Sequence, residues 1–510
     1  MKNIGIRAMG AMAACALLAF FGFIGRAGAQ LGTISFPTSG AAAAQPAFLE
    51  GVKDLHSFQF DEAAVAFKHA EQLDPNFALS YWGEAMSYNH PLWSEVDLAA
   101  AHNALEKLAP TPEGRAAKTG TEKEKAFLAA AELLFYSPGD KLARDTAYSA
   151  AMAKMYDRWP ADNEVAIFYA LSLLGTVRPA DTGFQRQELA ASIATKVFQE
   201  NPNHPGAAHF IIHAYDDPDH AILALPAARA YAKIAPSADH ALHMPSHIFL
   251  RLGMWQDVVD SNTVAYRAAV ALNQRMHLPE GRGDFHALSW LEYGNLMMGK
   301  FDEARKNLDL GQAANERNPG NASVHQGYLN MRARYLLETG QEERIAVEDA
   351  AGAPANVGAD YGRGADNGAW TFIGGLSAVR RNDLVTAEVA ASKLQTMREL
   401  EEKRGNAFGA KPFAIMEIEL RAEMELGRGR KDDAAKIAKE AADIDLTMAA
   451  PSGPPEPIKP ALELYGDLLL QAGRAKEAGA AYEQQLKRTP NRTPSVKGLA
   501  QAKNAQTSAD

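Results

Sequence analysis

Small and aromatic residues recur at fixed offsets along this chain, and their spacing predicts paired helices. Gly466, Ala478, Tyr482 and Pro490 lie at offsets 0, 12, 16 and 24, and Gly51, Ala63, Phe67 and Pro75 repeat them near the other end. The pattern fits two antiparallel helices. The small residue lets the first helix approach the second, the alanine answers it, and the aromatic ring fills the gap one turn later. Proline ends the pair because it cannot continue a helix. Gly473 marks the turn in the C-terminal copy. Partial copies run through Ile212, Ala224, Ala228 and Pro236, and through Ser246 and Gly253, with looser ones around 290–304, 333–340 and 422–434. Residues 100–200 fit least well: helices are expected there, with an enlarged loop over 175–182. Residues 350–368, rich in Gly, Ala and Asp, predict a loop, and the five prolines between Pro451 and Pro460 predict a linker or loop.

This pattern resembles the tetratricopeptide repeat, whose period is about 34 residues. The resemblance is scattered over most of the chain after residue 45. It implies an all-α fold, a superhelix (α-solenoid) of antiparallel helix pairs with a concave face lined by the first helix of each pair. It also implies a peptide or protein partner in that groove. The expected division is a leader at 1–29, a flexible segment at 30–45, helical repeats at 46–200, central repeats at 201–350, C-terminal repeats at 351–500 and a disordered tail at 501–510.

Composition supports a helical array: apolar residues are 47% of the chain and aromatics 8%, and Ala-Ala pairs, strong helix formers, recur from end to end. The first 29 residues read as a secretory signal, with Lys2 and Arg7, an apolar core from Ala13 to Phe23, and the small residues Ala27-Gly28-Ala29 before Gln30. Export to the periplasm or the extracellular space is the expectation, and no later stretch reads as a membrane span. Without those residues the chain has 49 basic and 62 acidic side chains, net −13. No basic stripe emerges, so nucleic acid is not an expected partner. The one cysteine, Cys15, lies in the signal, which leaves neither disulfide nor thiolate chemistry after cleavage.

The chemistry concentrates in histidine. Seven of the 14 histidines lie between 204 and 247. His209 and His213 are four apart, as are His243 and His247, a spacing that puts both rings of a pair on one helix face. The two pairs are also 34 residues apart, so they occupy equivalent places in successive repeats. Taking Ile212 and Ser246 as the positions that face the partner helix, each pair points to one flank. The family resemblance implies that this flank lines the groove. His240 and Asp216 fall near the same flank, and His286 joins it when the register is counted from Gly299 and Ala304. Two imidazoles from each of two neighbouring helices are then expected to converge on one ion. The candidate ligand set is His209, His213, His240, His243, His247, His286 and Asp216. His204 and His220 read as turn and helix-start residues, His277 falls in an insertion, and Met244 reads as core. Pro245 would kink or begin the helix that carries His247. Tyr81-Trp82 and His90-Pro91-Leu92-Trp93 form an aromatic cluster that reads as packing.

No GxSxG elbow, P-loop, dinucleotide fingerprint or HExxH motif is present. A nitrogen and oxygen ligand set suits copper or zinc first, with iron or nickel as further possibilities. Three functions fit: a secreted protein that holds a transition metal on a repeat scaffold, a scaffold for a peptide or protein partner without metal, and a metalloenzyme acting on a peptide or polymer. In the last, Asp216, Asp217 or Asp239 would serve as ligand or base.

Overall fold

In the computed structural model, residues 29–178, 181, 183–341 and 367–507 are described. They form an all-α array of sequential antiparallel helix pairs, as the tetratricopeptide-like spacing predicts. The single departure among them is a two-residue antiparallel bridge, Asn89–His90 with Glu95–Val96. The offset logic holds in atomic detail. A Cβ on Gly51 would lie 2.9 Å from the Phe67 ring, and one on Gly466 would lie 2.8 Å from the Tyr482 ring. Both rings are fully buried, and the space glycine leaves is the space they fill. Gly473 closes its turn at φ 76°, a conformation that a side chain opposes.

Nine helices build or border the histidine region: α1 Gln45–His56, α2 Phe60–Leu73, α3 Asn163–Gly175, α4 Pro205–Ala214, α5 Ala221–Ile234, α6 Asp239–His243, α7 Pro245–Arg251, α8 Trp255–Met276 and α9 Gly283–Met297. Local signals start several of them. The Asp162 carboxylate accepts from the Glu164 and Val165 amides at the head of α3. His204 caps α4 by accepting from the Ala207 amide, with Pro205 next to it at a position where no amide hydrogen is needed. Pro245 opens α7 and separates it from α6. Met244 keeps helical angles, and the His247 amide bonds back to the Met244 carbonyl, three residues earlier. The second pair therefore straddles a break, not a continuous helix.

One apolar cluster runs from Leu31 and Phe58 through the central helices to Tyr335, so the core is continuous across residue 200. The segment expected to be flexible at 30–45 is instead tied down. It forms no helix before Gln45, but Phe36 is buried against Phe48, Trp82 and Phe127, and the Thr33 amide bonds to the Asn203 carbonyl at 2.9 Å. Buried aromatic area and cross-chain hydrogen bonds fix it. The expected disordered tail differs too: a helix runs Thr493–Thr507. The proline-rich stretch 451–460 is a loop that packs onto the centre, and the Arg251 guanidinium donates to the Ala450 and Pro451 carbonyls at 3.1 and 2.9 Å. Further along, Trp255 Nε1 donates to the Asn491 carbonyl at 2.8 Å, and buried Arg492 bonds to Tyr293, Glu338 and Glu463. The C-terminal repeats thus fold back on the central ones. The expected leader, the loop over 350–368 up to residue 366 and part of the 175–182 loop lie outside the described residues. No described helix is long and apolar enough to cross a membrane.

Candidate metal centre

Ile212 and Ser246, the positions assigned to helix packing, are both fully buried. That fixes the facing of α4 and α7. The histidines three before and one after each turn to the shared flank, and two groups of three result. In the first, His209 and His213 of α4 meet His240 of α6; in the second, His243 of α6 and His247 of α7 meet His286 of α9. Within each group one ligand atom per ring lies within 4.8 Å of the others. The four-on-one arrangement expected from the spacing is replaced by two threes. Each HxxxH pair keeps its own third ring, His240 for the first pair and His286 for the second.

The contacts are close. His209 Nε2 and His240 Nε2 are 3.1 Å apart, His243 Nε2 and His247 Nε2 3.1 Å, and His243 Nε2 and His286 Nε2 3.0 Å. Two nitrogens bound to one ion at about 2.0–2.1 Å, at angles of about 90–110°, would be roughly 2.9–3.4 Å apart. His213 Nε2 is buried and has no hydrogen-bond partner. Rings of the two groups also approach each other, His213 to His247 at 6.3 Å and His240 to His243 at 6.4 Å between centroids. The two trios therefore lie side by side.

Partners behind the rings set the tautomers. His209 Nδ1 donates to the His56 carbonyl at 2.6 Å, at the end of α1. His243 Nδ1 donates to Asn262 Oδ1 at 2.7 Å, and the Asn262 amide nitrogen is committed to the Val258 carbonyl at 2.8 Å. His247 Nδ1 donates to Asp216 Oδ2 at 2.8 Å, while Asp216 Oδ1 accepts from Arg251 Nε at 2.8 Å. A carbonyl or carboxylate oxygen can only accept, so each of these Nδ1 atoms carries its proton. Each Nε2 then presents a lone pair to the other rings of its trio. Asp216, expected as a ligand, instead orients His247, because both of its oxygens are already occupied.

Burial, with the neighbouring imidazoles adding to it, holds His209, His240 and His243 well below the ordinary histidine range. It takes His213 to about 3. His286 is exposed to solvent on one side, yet desolvation of its ring and the neighbouring His247 push it down to about 4. Burial alone would raise Asp216, but Arg251 and His247 outweigh it and keep its carboxyl ionised. The walls are aromatic. Phe58 lies edge-on to His209 at 4.4 Å, and Trp290 lies 4.6 Å from His247 and 4.9 Å from His243. Of the aromatic cluster read as packing, Trp82 is buried core. Trp93 is half exposed and stands 6.3 Å from His240.

A third group, His56, Glu164 and His204, sits behind α4, fully buried. His56 Nε2 and His204 Nε2 bond to the two oxygens of Glu164 at 2.8 and 3.1 Å, while His204 Nδ1 accepts from the Ala207 amide. These nitrogens are spent on hydrogen bonds, so the group serves as a brace. It fixes His56, whose carbonyl in turn aims His209. His220 bonds to Asp217 at 2.9 Å, outside both trios, and His277 caps α8. Met244 is buried in the core, and Asp239 accepts from Gln59. His56, Phe58, Glu164, Arg251 and Asn262 were not among the residues singled out by the sequence. They reach the site from distant elements, and no local spacing marks them.

No protein-family profile matches the chain, and no curated protein matches it. Solved structures with similar helical architecture include yeast Tom70, at 12% identity over 90% of this chain and 88% of that one, TM-score 0.32. Another is the human IFIT1 dimer with m7Gppp-AAAA, at 13% identity over 93% and 91%, TM-score 0.33. A third is the P58(IPK) TPR domain, at 12% identity over 92% and 99%, TM-score 0.24. Likeness at this level says nothing about the histidines.

Proposed function

We propose that this chain is a transition-metal protein, exported by its leader, that holds one ion in each histidine trio. The observation that carries the reading is the pair His243 and His247. Their Nδ1 atoms are tied to acceptor-only groups, so their Nε2 lone pairs face each other across 3.1 Å. Two lone pairs at that distance repel, and a cation between them turns the repulsion into attraction. Metal-bound histidines characteristically pass the other ring N–H to a carbonyl or carboxylate, as His209, His243 and His247 do here. The unpartnered His213 Nε2 is a further buried polar atom awaiting a ligand. Convergence of the rings favours metal over a partner-binding groove, in which the histidines would be splayed to meet a peptide. All-imidazole ligation suits copper and zinc, and the affinity order places copper first.

The test is metal content of untagged protein by mass spectrometry. Close to two ions per chain are expected in the wild type. One is expected after either His209→Ala or His243→Ala, and none after both. Metal-free protein that folds normally and takes up neither copper nor zinc would overturn the reading.

A further inference from the structure

We propose that the two trios work together as a dicopper centre that takes up dioxygen between its ions. The inference rests on the metal-binding reading above and concerns what the paired ions do.

Electrostatics favours copper(I) at these trios. All six ligands are neutral imidazoles, and neither trio contains a carboxylate. The nearest acid with a defined role, Asp216, is paired with the guanidinium of Arg251, so its charge is already offset. Two divalent ions would place four positive charges on ligand sets that hold no anion of their own. Like charges a few ångströms apart in a protein interior repel far more strongly than in water. Two copper(I) ions halve that load, and copper(I) is content with three nitrogen ligands. Zinc has no monovalent option.

Reaction with dioxygen conserves the charge of the site. Dioxygen entering between two copper(I) ions receives one electron from each. The products are two copper(II) ions and one peroxide dianion bridging them. The coppers are oxidised, dioxygen is reduced by two electrons, its O–O bond order falls to one, and no proton or further reductant is needed. The total charge is +2 before and +2 after. Trios that hold no carboxylate of their own can host this change with no new uncompensated charge. The bridging anion also supplies the negative partner that the ligand set lacks.

Placement brings the two ions together. Each three-coordinate ion keeps an open position, and the approach of His213 to His247 and of His240 to His243, ring centroids 6.3 and 6.4 Å apart, sets the two trios side by side. Phe58 and Trp290 give the site apolar surfaces, which suit an apolar diatomic. Two clefts reach its edges. One, about 530 Å³, is lined by Phe60, His90 and His240, and the other, about 600 Å³, by His213, Asp216 and Arg251.

The experiment is an anaerobic titration of the full-length protein, after leader removal, with copper(I), followed by admission of oxygen. Two copper(I) ions per chain are expected. Oxygen should then be consumed at one molecule per two coppers. A new near-ultraviolet charge-transfer band should appear, with no electron paramagnetic resonance signal because the two copper(II) spins couple through the bridge. His240→Ala and His286→Ala should each leave one copper and abolish the uptake. Two bound coppers that consume no oxygen, or that oxidise to two magnetically isolated copper(II) ions with full signal, would overturn the dioxygen proposal and leave metal binding standing. A chain that binds no copper would overturn the metal reading, and this proposal with it.

Discussion

At the scale of single residues, the site depends on hydrogen bonds one step behind the imidazoles. Asp216 and Asn262 touch no ion, but each fixes a tautomer. Asp216→Asn and Asn262→Leu should each weaken metal binding about 10–100-fold with the fold retained, as loss of such partners usually does. Competition with a chromogenic chelator reads that change, and unaltered affinity in both variants would remove any role for the tautomers. Glu164 makes stability depend on pH. Burial raises its pKa, but His204 and His56 outweigh that and bring it down to about 2 from an ordinary 4.5. A depressed carboxylate stabilises the folded state above its unfolded pKa, and that stability is lost as pH falls through the folded value. The brace should therefore stabilise above about pH 4.5 and weaken toward pH 2. Glu164→Gln should lower the denaturant midpoint at pH 7 and flatten the acid limb below pH 4.5. Four of the six ligands, His209, His213, His243 and His247, were legible because they recur at 34 in the chain. Their supports were not: the His56 carbonyl serving His209 is 153 residues away, and only folding brings it there.

At the scale of elements, glycine-to-aromatic packing decides how closely paired helices approach. Gly466→Val should cost about 1–3 kcal/mol by overpacking, because the Tyr482 ring it would strike is buried and bonded to Asp467. Gly183→Ala, with nothing within 4 Å of the added carbon, should stay within about 0.5 kcal/mol. Equilibrium denaturation of both checks the contrast, and equal effects would contradict it. The offsets of the repeat exposed this packing in the sequence, because period and residue size share one physical cause. The break at Pro245 was half legible. Proline announces an interruption, but whether His243 and His247 still meet depends on the angles of Met244 and on α9, which carries His286. The third ring of each trio was legible by position, while the division into two threes was not. Side-chain direction at a helix break is set by tertiary packing, which a helical wheel does not contain.

At the scale of the whole molecule, the chain closes on itself, and that closure holds the site rigid. Arg492 joins α9 to the C-terminal repeats through Tyr293, Glu338 and Glu463, all buried. Arg492→Met should destabilise by roughly 3–5 kcal/mol, since it strands the buried Glu338 carboxylate and leaves Glu463 with Lys459 as its remaining cationic partner. A thermal melt reads the loss, and an unchanged midpoint would show the closure to be dispensable. None of this was legible from repeat spacing, which describes neighbours and is silent on contacts between residues some 200 apart. The expectation of loose ends differed from the fold at 30–45 and at 501–507, the described part of the tail, for the same reason: polar, small-residue segments become ordered when distant surfaces receive them. Metal should tighten the assembly further. Binding to the folded state alone adds about 2.7 kcal/mol at a free metal concentration 100 times Kd. Whether two separate trios each hold an ion is tested most directly by anomalous diffraction from crystals of the metal-loaded protein, measured across the copper edge. Two peaks are expected, one within about 2.1 Å of the three imidazole nitrogens of His209, His213 and His240, the other equally close to those of His243, His247 and His286. No peak, one peak shared by both pairs, or a peak confined to His56, Glu164 and His204 would contradict it.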